Sequence, residues 1–66
     1  MHILFNDEPM KCDDGLTVAM LLERLRQLKP GTALALNQQI LPRKQWEHQQ
    51  VNEGDQILLF QVIAGG

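Results

Sequence analysis

Only one stretch of this 66-residue chain has the periodicity of an amphipathic helix, and that limits the fold more than any other feature. In residues 16–31, LTVAMLLERLRQLKPG, the apolar residues Val18, Leu21, Leu22, Leu25 and Leu28 recur on one helical face. Glu23, Arg24, Arg26, Gln27 and Lys29 take the opposite face. Thr17 is placed to cap the first turn through its hydroxyl, and Leu16 and Leu21 to close a hydrophobic staple around that cap. Lys29 suits the negative end of the helix dipole, and Pro30 and Gly31 stop the helix. One helix of roughly eleven residues covers one face of a sheet and no more.

The remaining segments read as short strands. In MHILFN, Ile3 and Phe5 share the inward face, and NDEP suits a tight reversal. PMKC then forms a short second strand with Met10 and Cys12 on one side. TALALN is apolar on both faces, as expected of a strand buried on one face and partly covered on the other. NQQ is a turn, ILP a very short strand ended by Pro42, and RKQW one helical turn that lays Trp46 on the edge of the core. NEGD is a turn in which Gly54 takes positive φ, and QILLFQV is the last strand. This order predicts an α+β fold of the β-grasp kind, a mixed four- to five-stranded sheet wrapped around one helix. The last strand should lie mid-sheet, parallel to the first. Residues 1–66 are expected to form a single domain, with residues 63–66 as a flexible C-terminal tail.

Composition excludes several function classes. A chain this short buries only roughly 60% of its unfolded surface, which leaves little scaffold for a deep catalytic cleft. Apolar residues make up 44% and charged residues 21%, ordinary for a folded protein. With a net charge of −2 and no basic patch, nucleic-acid binding has no electrostatic support. The densest apolar runs, residues 18–22 and 57–60, fall far short of the ~20 residues of a membrane span. No signal-peptide pattern opens the chain, and one cysteine forms no internal disulfide, so a cytoplasmic protein is expected. There is no serine, no CxxC and no glycine-rich phosphate loop, and His2 and His48 have no companion ligands nearby. Neither an autonomous enzyme nor a metal site is expected.

The C-terminal IAGG then gains weight. Glycine costs more backbone entropy to order than any other residue. A tail without Cβ atoms threads a narrow channel and presents an unhindered carboxylate. That carboxylate, with a pKa of about 3.3–3.7, is ionised at neutral pH and a poor acyl electrophile. It needs activation, most simply by ATP as an acyl-adenylate, and a nucleophile then displaces AMP. The chain holds no ATP-binding parts, so it would be substrate and carrier while a partner is the enzyme. A frayed terminus without function is the plain alternative.

Four segments carry a family resemblance that spans the chain: LTVAMLLERL, LALNQQILPRKQW, EGDQILLF and VIAGG. Together they resemble the sulfur carrier proteins of bacterial thiamine biosynthesis, a ubiquitin-like β-grasp family. The GG end is shared with ubiquitin and with the small subunit of molybdopterin synthase. The asparagine after the third strand, followed by Ile-Leu-Pro-Arg and a tryptophan, resembles the thiamine branch more closely. The resemblance implies that the Gly66 carboxylate is adenylated by an ATP-dependent activating enzyme. It would then become a thiocarboxylate with sulfur from a cysteine desulfurase, and give that sulfur to thiazole synthase. Gly65 and Ala64 would supply reach and slimness, and ATP would be used by the partner, with no cofactor bound to the chain itself. A molybdopterin-type carrier, a ubiquitin-like protein modifier and a plain interaction module remain as alternatives.

Other residues invite lesser roles. If Ile57 and Leu59 face the helix, Leu58 and Phe60 face outward beside Leu4 and form an apolar patch for a partner. Cys12, alternating with Met10, reads as a small buried hydrophobe rather than a sulfur-transfer group. Asp13, Asp14, Glu53 and Asp55 read as turn and solvent residues, and Arg43 and Lys44 as a solvated turn.

Overall fold

The computed structural model describes residues 1–62; the expected tail at 63–66, including Ala64, Gly65 and Gly66, lies outside the described residues. The elements run β1 (His2–Phe5), β2 (Glu8–Lys11), α1 (Val18–Arg24), β3 (Thr32–Leu36), β4 (Gln39–Ile40), a 3₁₀ turn (Arg43–Gln45) and β5 (Gln56–Gln61). The sheet has five strands in the order β2-β1-β5-β3-β4. β1 and β5 are parallel, and the other pairs are antiparallel. This is the expected α+β arrangement, with the last strand at the centre.

Both hairpins are closed by two-residue loops with positive φ at each position: Asn6 (50°) and Asp7 (68°), then Asn37 (51°) and Gln38 (72°). Loops of this kind match the right-handed twist of the strands they join, and Asn and Asp enter that region more readily than most residues. They also fix register: Phe5 lies opposite Glu8, and Leu36 opposite Gln39.

The Thr17 cap forms as expected, its Oγ1 accepting a hydrogen bond from the Met20 N–H at 3.2 Å. Leu16 and Leu21 around it are both buried. The helix is shorter than expected, however, and ends at Arg24. The chain reverses at Arg26, whose φ is 58°. There the Gln27 N–H donates to the Leu22 carbonyl at 2.8 Å, and the Arg26 N–H to the Glu23 carbonyl at 3.0 Å. This is a Schellman closure with arginine at the position glycine usually takes. Leu28 therefore leaves the helical face and is 41% exposed, contrary to expectation. Arg24, not Lys29, is the basic residue of the last turn.

The core lies between α1 and one face of the sheet. Val18, Leu21 and Leu22 from the helix meet Ile3, Leu34 and Ile57 from the three central strands, with Leu16 and Val51 from loops. Trp46 was expected at the core edge but is only 2% exposed. Its indole N–H donates to the Leu41 carbonyl at 2.9 Å, which satisfies the one polar atom of a large buried side chain. Its own carbonyl accepts from the Ala19 N–H at 2.9 Å, tying the 3₁₀ turn to the helix.

Candidate functional site

β5 separates two kinds of apolar residue by alternation. Ile57 is 1% exposed and Leu59 packs against the core, whereas Leu58 is 40% and Phe60 44% exposed. This is the facing expected from the sequence. Residues directly opposite on neighbouring strands share a face, so Ala33 beside Phe60 and Ala35 beside Leu58 lie on the open side. Ala35 is buried there beneath its larger neighbours. Leu4, half-buried on β1, stands beside Gln56 on the same side.

The apolar face extends beyond the three residues expected. Ile40, opposite Ala35, is 65% exposed, and Pro9 lies opposite Leu4. The open face thus crosses all five strands from Pro9 through Leu4, Leu58 and Phe60 to Ile40. Ile40 was legible only as part of a very short strand, because two residues are too few to show alternation. Its facing follows from the turn at Asn37–Gln38, which sets the register.

The start of β5 is tied down by a side-chain network. Asp55 is buried, although the sequence placed it among solvent-facing turn acids. Its Oδ1 accepts from Asn37 Nδ2 at 3.0 Å and its Oδ2 from the Asn52 N–H at 2.7 Å. Asn37 also closes on the strand itself: its Oδ1 accepts from the Gln56 N–H at 2.9 Å, and its N–H donates to the Gln56 carbonyl at 2.8 Å. A buried carboxylate is tolerated when its oxygens are hydrogen-bonded, and both oxygens are here. From the other side, Leu4 and Asn6 donate to the Asp55 and Ile57 carbonyls, and the Leu59 N–H donates to Asn6 Oδ1 at 2.9 Å. β5 is thereby a rigid base whose far end points into the C-terminal residues. The sulfur-carrying position expected at Gly66, with Gly65 and Ala64, lies outside the described residues.

Among the remaining candidates, His2 and Glu53 lie beside Leu4 and Pro9 at the border of this face, and Cys12 packs against the core. Burial pushes the Cys12 thiol up, with Asp13, Asp14 and Glu53 acting in the same direction and the N-terminal ammonium opposing them. A thiol held in its protonated form is a poor nucleophile. His2 lies 3.7 Å from Glu53, and both are well exposed. Asp13 pairs with Arg24 at 2.6 Å, and Asp14 with the N-terminal ammonium at 3.1 Å. Among the described residues no group of three or more His, Cys, Asp or Glu side chains is placed to hold a metal ion. No helix among them is long and apolar enough to cross a membrane.

Comparison with known proteins bears on the same site. The chain is 64% identical to the sulfur carrier protein ThiS of Escherichia coli K12, with both chains covered in full. A crystal structure of the thiamine biosynthesis protein ThiS from Geobacter metallireducens matches with a TM-score of 0.88 at 26% identity, again over the whole of both chains. A solution NMR structure of a thiamine biosynthesis protein from the same organism matches with a TM-score of 0.75, also at 26% identity, covering all of this chain and 88% of that one. The ThiS family model matches residues 3–66, a span that includes the strand-centred base, the open apolar face and the terminal glycines. This chain belongs to the ThiS family.

Proposed function

We propose that the chain is a sulfur carrier of thiamine biosynthesis and that Gly66 is its carrying residue. The end-to-end 64% identity with a protein named as a sulfur carrier is the observation that carries this reading. The terminal Gly65-Gly66 pair supports it, because a carboxylate on bare backbone is the group such a cycle needs. An activating enzyme transfers AMP from ATP to the Gly66 carboxylate and releases pyrophosphate. A persulfide sulfur from a cysteine desulfurase displaces AMP to give an acyl disulfide. A partner thiol cleaves its S–S bond and is left as a disulfide, and the thiocarboxylate so released donates its sulfur to thiazole synthase. The chain is then a cosubstrate rather than a catalyst, working in the cytoplasm with these enzymes.

The open face of the sheet supplies the docking surface in this reading. Leu58, Phe60 and Leu4 contact the partner enzymes, and the tail enters the active site. Docking through a rigid sheet limits the entropic cost of association.

Deletion of Gly65 and Gly66 tests the reading in cells that lack their own carrier. The full chain is expected to restore growth without thiamine, and the truncated chain, folded equally well, to leave the cells dependent on it. Growth supported by the truncated chain would overturn the assignment of Gly66.

A further inference from the structure

The last ladder pair of the sheet is Thr32 with Gln61, and one residue further the Val62 N–H donates to the Gly31 carbonyl at 2.8 Å. The root of the C-terminal arm is therefore gripped by the loop that follows α1. That loop has little burial of its own: Leu28, Lys29, Pro30 and Gly31 are all exposed. Arg43 ties it to the core. The Arg43 guanidinium sits 4.8 Å over the ring of the buried Trp46, and its Nη1 donates to the Lys29 carbonyl at 2.9 Å. The Thr32 hydroxyl donates to the same carbonyl at 2.8 Å. A continuous path runs from Trp46 through Arg43 and the Lys29 carbonyl to Gly31 and the Val62 amide.

We propose that Arg43 is a positioning residue for the chemistry at Gly66, holding the loop that grips the root of the carrier arm. This rests on the sulfur-carrier reading above. Gly66 is four residues beyond Val62, and four extended residues span at most about 14 Å. The Gly31–Val62 hydrogen bond fixes the point from which those residues set out. Loosening it lowers the fraction of docked chains whose carboxylate reaches the reacting position, and a misplacement of about 1 Å can lower a rate by about 10²-fold. Arg43 is itself exposed, so its loss removes no core side chain. Arginine suits the task because its planar head stacks on an indole while donating along its edge, which lysine does only in part.

The experiment compares the full-length wild type with Arg43→Ala, Arg43→Lys and, as a charge control, Lys44→Ala. Amide hydrogen exchange is read at Val62 and in the core, and adenylation by the ATP-dependent activating enzyme is followed by pyrophosphate release. Arg43→Ala is expected to speed Val62 exchange several-fold while core amides such as Leu34 stay protected. It should lower kcat for adenylation by about three- to tenfold, with KM unchanged because the sheet face still docks. Arg43→Lys should fall between the two, and Lys44→Ala should match the wild type. Wild-type exchange and kcat in Arg43→Ala, a general loss of core protection, or an equal effect from Lys44→Ala would each overturn the proposal. A wild-type chain that the enzyme does not adenylate would instead overturn the carrier reading, and this proposal with it.

Discussion

The two faces of β5 are built from similar residues and have opposite consequences. Ile57 and Leu59 point toward α1, and Leu58 and Phe60 point away from it. On the first face Ile57 joins Val18, Leu21 and Leu22 in the core and is only 1% exposed, and Leu59 packs against that cluster half-buried. On the second, Leu58 and Phe60 have small partners across on β3, Ala35 and Ala33, and each keeps about two-fifths of its surface in solvent. The comparison teaches that alternation along one central strand gives one face to the core and leaves the other open to solvent. The helix side sets whether the chain folds, and the open side is the one we propose for docking.

The sharpest way to break that division is on the helix side. Ile57→Ala removes a side chain that is 1% exposed and is expected to cost about 2–5 kcal/mol. For a chain of this size that is much of the total stability. Thermal unfolding monitored by circular dichroism should show a loss of several degrees or more, and an unchanged midpoint would mean that the core lies elsewhere. On the open side, Leu58→Asp and Phe60→Asp are expected to shift stability by no more than about 1 kcal/mol. Each should weaken binding to the activating enzyme by at least about tenfold, as for a residue central to an interface. Ile40→Asp, at the edge of the same face, should weaken it less. Calorimetric titration of the folded variants checks this order. Collapse of the Leu58 or Phe60 variant would place those residues in the core, and wild-type affinity would remove the open face as the docking surface.

Much of the fold was legible because it follows from local pattern. The alternation in β5, the staple around Thr17, and the turn residues at Asn6–Asp7 and Asn37–Gln38 each act within a few residues. What was not legible depends on partners distant in sequence or on backbone states that no residue type marks. Arg26 closes the helix in a left-handed conformation that arginine does not advertise, so Leu28 was read as a core residue. Asp55 resembles any acid in a turn until Asn37, 18 positions away, is brought beside it. Arg43 opens and Trp46 caps a short 3₁₀ turn that is tied to α1 through the Trp46 carbonyl, and a three-residue element has no periodicity to reveal it. The proposed carrying end rests on a different kind of signal, a pair of glycines without side chains beside motifs that resemble one family.

The central claim concerns one functional group, and intact-mass measurement of the full chain from cells making thiamine tests it directly. A population heavier by one sulfur-for-oxygen exchange is expected, with the added mass in the peptide that ends at Gly66 and persisting in a Cys12→Ser variant. Added sulfur on Cys12, or a ladder of conjugates joined through Gly66 to other proteins, would contradict it.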